Sequence, residues 1–294
     1  MASREMEAVR DYEGIENMIK ISAYQGRCTD DFDTNMGKVR EIIHKAGKDG
    51  SDFLCFPEGY LSNYKVDAIH NADLAVTLTD PRMLDLIQLT DRYDMVVIVG
   101  ISEIESDQAF NTALVIYQGK MLGKYRKTML TGGDKKSFAS DYSLPIFEAK
   151  GIPFGVIICH DSSFIEPALT MRWKGARLLF SPHYNSISYD RVDEHRIMVR
   201  NNHIGLSVLL QMVVVRANVV GGNEERVGYG DSAIFSPLGV PVAAAPLFKE
   251  SLISAEFEDS FFFQESWRAR REIPLEVSRQ LWDAARKSIE ERDA

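Results

Sequence analysis

The 294-residue chain predicts an α/β fold in which mixed β-sheets are covered by helices, with an arm at its C-terminal end. Three observations carry this expectation. Strand-like apolar runs alternate with amphipathic helical segments through the first half, an order that favours parallel strands joined by crossover helices. Later runs follow one another with turn residues between them, as antiparallel strands do. No Pro/Gly/Ser-rich linker and no fixed-period repeat divides the chain, so one domain plus an arm is the economical organisation.

The elements follow in order. IKISAYQ (Ile19 to Gln25) reads as the first strand, and Asp31 to Lys48 carries Met36, Val39, Ile42, Ile43 and Ala46 at helical spacing. Phe53 to Phe56 is a short buried strand closed by Pro57-Glu58-Gly59. A helix over Met83 to Tyr93 leads into a strand over Met95 to Glu103, and Ala113 to Tyr117 is a strand ending in a turn at Gly119. Beyond it come a strand ending at Cys159, a helix near Phe164 to Lys174, a strand over Arg177 to His183 and a polar helix near Val192 to Asn202. Three more strands are expected within Met212 to Gly221, Ser232 to Pro237 and Ser251 to Glu258. From Ser260 the pattern changes to Phe261-Phe262-Phe263, Trp267, Arg268, Arg270 and Arg271, then a helix over Leu275 to Arg292. The expected divisions are a leader over residues 1–18, a domain over 19–259 and an arm over 260–294 that contacts the body or a second subunit.

Composition excludes several functions. The chain is 45% hydrophobic and 26% charged, enough apolar surface to offset chain entropy. Its net charge of -9 has the wrong sign for binding nucleic acid or an anionic membrane. The start is charged where a signal peptide is apolar, and no run approaches the roughly 18 apolar residues of a membrane span, so a cytoplasmic location is expected. Three scattered cysteines fit reduced thiols, and no CxxC, HExxH or metal-spaced histidines occur. No metal or other cofactor is expected.

Three strand ends hold reactive side chains. Cys159 follows FGVII and precedes His160-Asp161-Ser162-Ser163, where a strand-to-helix turn exposes a sulfur beside unpaired backbone N–H groups. Alone it reads as a small core residue. Glu58 in CFPEG and Lys127 in GKYRKT lie just past two other strands, and a thiol that attacks a carbonyl needs a base and an oxyanion donor. Taken singly, each is a turn or surface residue.

Glu58 in FPEG, Lys127 in YRK and Cys159 in CHDSSFIEP resemble the Glu, Lys and Cys motifs of the nitrilase superfamily of carbon-nitrogen hydrolases, amidase-type branch. FLCFPE, NTALVIYQGKMLGKYRK, GARLLFSPH, VVRANVVG and SPLGVP resemble family segments in family order, from about Ile19 to Glu258. The resemblance implies a four-layer αββα sandwich with two mixed β-sheets. It implies Glu58 as general base and acid, Cys159 as nucleophile, and Lys127 with the backbone N–H of His160 as the oxyanion site. Hydrolysis of a small amide to acid and ammonia through a thioester is the implied reaction. Nitrile or N-carbamoyl hydrolysis, acyl transfer to an amine and a silent binding protein are the alternatives. A cysteine protease would need a Cys-His pair, with His183 or His195 as its partner.

The chain also departs from the family pattern. Lys135 stands where many members place a second glutamate, leaving Asp134 as the nearest carboxylate, and Leu209 replaces an acidic residue. Ser162 and Ser163 follow the cysteine where carboxylate-binding relatives carry arginine, which disfavours an acidic substrate unless Arg172, Arg191 or Arg196 reaches the site. Tyr64, Asp134, His160, His183 and Tyr184 are the expected substrate-binding residues, His160 through its backbone. The expected partners are a small-molecule amide and further copies of the chain in a homodimer or larger homo-oligomer.

Overall fold

A computed structural model describes residues 18–64, 74–263 and 275–293. Its first unit, residues 1–262, is built on two six-stranded mixed sheets. In the first sheet β1 (Met18–Gln25), β2 (Phe53–Cys55) and β3 (Val96–Glu105) run parallel. β4 (Gln108–Tyr117) and β5 (Lys120–Arg126) continue it as antiparallel hairpins, and β15 (Ser251–Glu258) closes the far edge against β1. In the second sheet β7 (Ile152–Val156), β8 (Leu178–Pro182) and β10 (Val213–Ala217) are parallel. β6 (Phe147–Ala149), β13 (Ala233–Phe235) and β14 (Pro241–Ala244) flank them antiparallel. β9 (Ser186–Ser188), β11 (Val220–Gly222) and β12 (Arg226–Tyr229) make a small third sheet.

Strand periodicity sorts the apolar residues into two layers. Phe53, Cys55, Val96 and Ile98 face the second sheet and join a core with Phe154, Phe180, Val213 and Val215. The alternate residues Leu54, Phe56, Val97 and Val99 face outward and meet Met36, Val39, Ile43 and Met83. Those partners come from α1 (Phe32–Lys48) and α2 (Pro81–Leu89). On the other side α3 (Ile165–Trp173) and α4 (Val192–Leu210) bring Ala168, Met171, Leu206 and Leu210 to the second sheet. The layers are therefore helix, sheet, sheet, helix. Phe53 meets Phe154 and Phe180 at centroid separations of 5.5 and 5.8 Å, tying the sheets together.

Several expected boundaries move for identifiable reasons. α2 starts at Pro81, earlier than Met83, because Asp80 caps it by accepting from the Arg82 N–H, and Pro81 suits the first helical turn. α4 runs on from Asn202 to Leu210, since Gly205 meets no obstruction and the chain leaves the helix only at Gln211, φ 53°. The strand before Cys159 stops pairing at Val156, and the cysteine opens a 3-10 turn, Cys159–Ser163, ahead of α3.

The chain past β15 forms α5 (Ser260–Phe263), whose Phe262 is buried against Phe257. Residues 263–294 form a separate unit containing α6 (Leu275–Asp293). Leu275, Trp282 and Ile289 lie at seven-residue spacing on α6 and are exposed. Residues 1–17 of the expected leader, and Trp267, Arg268, Arg270 and Arg271 of the arm, lie outside the described residues.

Candidate active site

Glu58, Lys127 and Cys159 follow β2, β5 and β7, and the loops that carry them converge at one end of the two sheets. The Glu58 loop packs against β3 through Gly100: a Cβ there would lie 2.3 Å from the Gly59 nitrogen and 2.7 Å from the Pro57 carbonyl. Gly59 itself has φ +55°, which glycine adopts without steric cost.

Glu58 is 1% exposed and its carboxylate is held from three sides. Oε1 accepts from Lys127 Nζ at 2.9 Å and from Asn111 Nδ2 at 2.7 Å, and Oε2 accepts from the Tyr184 backbone N–H at 2.8 Å. Lys127, equally buried, also lies 2.9 Å from Asp134 Oδ2 and 5.5 Å from the Tyr64 ring centroid. Burial alone would lower the Lys127 pKa, but Glu58, and after it Cys159, Tyr64 and Asp134, hold it well above the ordinary lysine value. Burial likewise acts to raise Asp134, and the Lys127 charge with hydrogen bonds from Tyr64, Lys127 and Thr131 brings it below the usual carboxylate value.

Cys159 has φ 48°, a left-handed conformation that costs a non-glycine residue about 1 kcal/mol. It turns the side chain out of the strand direction, and the Ser162 hydroxyl donates to the Cys159 carbonyl at 2.7 Å to hold the turn. The sulfur lies 3.6 Å from Asn185 Nδ2. Burial pushes its pKa well above the ordinary thiol value, Glu58 adds to this, and Lys127 with the Tyr184 backbone N–H opposes it. The Lys127 ammonium thus favours the thiolate, and burial with the Glu58 carboxylate outweighs it.

Asp161 fastens the cysteine turn to the lysine loop. Oδ2 accepts from the Ile158 N–H at 2.8 Å and the Tyr125 hydroxyl at 2.7 Å, and Oδ1 from the Met129 N–H at 2.7 Å. Burial pushes its pKa up to about 6 from 3.8, against those hydrogen bonds. A raised acid pKa means that the stabilising contribution is full below the unfolded value and fades as pH rises through the folded one. The difference in Tm between wild type and Asp161→Asn is therefore expected to shrink from pH 4 to pH 7. A difference that grows with pH over that window would contradict the assignment.

The remaining expected residues take distinct places. The Tyr64 hydroxyl donates to Asp134 Oδ1, and its ring meets those of Phe138 and Tyr184. Asp134 is buried whereas Lys135 is exposed, so the aspartate is the side chain that joins the site. The His160 ring packs edge-on against Phe164 at 5.2 Å, leaving its backbone at the head of the turn. The His183 ring turns into a buried cluster with Ser181 and His203, its Nε2 at 3.0 and 3.1 Å from their Oγ and Nε2. Burial, with the nearby charges of His203, Arg216 and Lys127, holds His183 well below its ordinary pKa. His195 bonds Tyr229 through Nδ1 at 3.0 Å.

Asn111, Asp161 and Arg216 were not singled out from the sequence. Asn111 and Arg216 lie in segments that carry the family resemblance, NTALVIYQGK and VVRANVVG, and Asp161 lies in the cysteine motif. Beside the site is a pocket of about 740 Å³, whose described lining includes Arg27, Asp30, Asn63, Tyr64, Tyr184 and Arg226. Among the described residues no group of three His, Cys, Asp or Glu side chains could hold a metal, and no helix is long and apolar enough to cross a membrane.

Comparison with known proteins agrees with this architecture. Residues 20–260 match the Carbon-nitrogen hydrolase family. N-carbamoylputrescine amidase of Solanum tuberosum is 28% identical over 266 residues, covering 82% of this chain and 86% of the relative. A carbon-nitrogen hydrolase of Helicobacter pylori G27 superposes with a TM-score of 0.77 at 18% identity, over 90% of this chain and 98% of its own. A mutant amidase of Nesterenkonia sp. AN1, with the acetamide moiety of fluoroacetamide covalently added at its active-site cysteine, gives 0.75 at 18% identity, over 91% and 98%. With a family match that spans both sheets and all three converging loops, the chain belongs to the carbon-nitrogen hydrolases.

Proposed function

We propose that this carbon-nitrogen hydrolase cleaves a small non-peptide amide through a thioester on Cys159. The observation that carries the reading is the meeting of a buried Glu58–Lys127–Asp134 cluster with Cys159 at the head of its turn, where Glu58 and Lys127 both act on the sulfur. Glu58 takes the thiol proton as the sulfur attacks the carbonyl carbon. The oxyanion that forms is stabilised by the Lys127 ammonium and the backbone N–H of His160. Glu58 then passes its proton to the leaving nitrogen, ammonia departs and the thioester remains. Water, deprotonated by Glu58, attacks the thioester, and the acid leaves as the sulfur regains its proton.

The covalent adduct on the cysteine of the Nesterenkonia amidase supports the thiol as the nucleophile. Intact-protein mass spectrometry after exposure to a panel of simple amides tests it: an acyl mass on Cys159 is expected, and absence of any adduct or turnover across the panel would overturn it. N-carbamoyl hydrolysis is the second reading, favoured by the similarity to N-carbamoylputrescine amidase. N-carbamoyl amines in the same panel distinguish the two. A nitrile arm and an added-amine arm cover nitrile hydrolysis and acyl transfer.

Glu58→Gln keeps the shape of the side chain and, through its one oxygen, the contacts to Lys127 and Asn111, but it loses the acceptor for the Tyr184 N–H and removes the base. Its kcat is expected to fall about a hundredfold, the lower range for a general base. A rate within about tenfold of wild type would remove Glu58 from proton transfer. We also propose a homo-oligomer, supported by the exposed Leu275, Trp282 and Ile289 of α6. Sedimentation at micromolar concentration should show a dimer or larger, and a monomer would dismiss it.

A further inference from the structure

Arg216 is 1% exposed, an expensive place for a charge. Asp231, which also pairs with Arg200, supplies a counter-charge, its Oδ2 lying 3.6 Å from Arg216 Nη1. The guanidinium is fixed in direction by carbonyls: Nη1 donates to the Asp231 carbonyl and to that of Gly230 at 3.1 Å. Nη2 donates to Asn185 Oδ1 at 2.8 Å and to the Tyr229 hydroxyl at 3.2 Å.

A guanidinium only donates, so the Asn185 atom that faces it has to be the oxygen. The Tyr229 hydroxyl bonds the same oxygen at 3.3 Å. The other end of the amide, Nδ2, is then turned to Cys159 Sγ at 3.6 Å. Asn218, two residues beyond Arg216, holds the Asn185 backbone by accepting its N–H at 2.9 Å. One segment, Arg216-Ala217-Asn218, therefore grips both the side chain and the backbone of the residue that touches the sulfur.

We propose that Arg216 is a positioning residue that locks Asn185 with its amide N–H directed at the Cys159 sulfur, so that the sulfur meets a hydrogen-bond donor as it becomes negative. The proposal rests on Cys159 being the nucleophile. The charged groups acting on the sulfur are Glu58, Lys127 and Asp134, with the Tyr229 phenol nearby, and Arg216 meets it through the Asn185 amide.

The test is alkylation of the full-length protein by iodoacetamide at pH 8, with Cys159 and Cys28 followed separately by peptide mass spectrometry. Below its pKa a thiol reacts in proportion to its thiolate fraction, and a more basic thiolate is the better nucleophile, so each unit of rise in pKa slows alkylation by about threefold. Asn185→Leu and Arg216→Met are each expected to slow Cys159 by at least about threefold, with Cys28 unchanged. The double variant should be no slower than Asn185→Leu, since both changes remove one interaction. Asn185→Asp keeps the acceptor for Arg216 and the shape of the side chain, yet replaces the N–H by an oxygen, and should slow Cys159 at least as much. A wild-type rate in Arg216→Met or Asn185→Asp, equal slowing of both cysteines, or multiplied effects in the double variant would overturn the proposal. If Arg216→Met does not fold, Asn185→Asp decides. Failure of the nucleophile reading looks different: wild-type Cys159 would then form no acyl adduct with any amide.

Discussion

Cys159→Ala is expected to lower kcat by about a million-fold, the scale of loss when a covalent nucleophile is deleted, while the protein stays folded. The change removes one sulfur at a turn whose backbone is held by other groups, the Ser162 hydroxyl and the Asp161 carboxylate. Alanine at a left-handed φ is no better suited than cysteine, so the strain remains. The melting temperature should move by no more than a few degrees, the equivalent of about 1 kcal/mol. The readouts are kcat on any accepted amide, Tm, and intact mass after incubation with that amide. Residual turnover within about a hundredfold of wild type in a folded variant would end the thiol mechanism, because oxyanion stabilisation and substrate binding without a nucleophile leave far less than that.

Lys127→Met is the second large effect, and it combines catalysis with stability. Loss of an oxyanion donor costs about 2.7–4 kcal/mol of barrier, so kcat is expected to fall a hundred- to a thousandfold. The same change strips the shared cation from Glu58 and Asp134, both about 1% exposed. Removing one partner of a buried pair costs about 3–5 kcal/mol, so Tm should fall by on the order of 10 °C. The pH dependence gives a separate signature. In the wild type Asp134 lies below its ordinary value of 3.8, so its contribution to stability is present above that value and is lost as pH falls. Without Lys127, burial and the Glu58 charge push Asp134 up, and stability is then lost as pH rises through the new value. The Tm deficit of the variant should thus be smaller at pH 5 than at pH 7. Lys127→Arg should fail as well, since a planar fork cannot replace a compact ammonium between two carboxylates. A large Tm loss with normal kcat would make Lys127 a structural counter-ion only, and the oxyanion assignment would be withdrawn.

Much of the fold was legible because it rests on periodicity. Ile19 to Gln25, Phe53 to Phe56 and Met95 to Glu103 read as strands, and Asp31 to Lys48 as a helix, because neighbours along one chain reveal which face is buried. Helix ends were less legible. The run to Leu210 hid behind a glycine, and only the packing of Leu206 and Leu210 on the second sheet settles it.

For the site, the sequence by itself determined which reactive side chains stand at strand ends: Glu58, Lys127 and Cys159 are visible there as residue type and local punctuation. Tertiary structure decided what each of them meets. Asp134 rather than Lys135 enters the site because the 3-10 turn over Asp134–Lys136 buries one and exposes the other. The His183 ring is drawn away to Ser181 and His203 while its neighbour Tyr184 offers a backbone N–H to Glu58. Asn185 and Arg216 act on each other from separate strand ends 31 residues apart in the chain. Hydrogen bonds between side chains so far apart leave no periodic trace, because their partners are set by the stacking of two sheets and the loops at one end of them. Burial is decided at that same level, and burial is what lets the charges around Lys127, Asp134 and Cys159 act on one another at full strength.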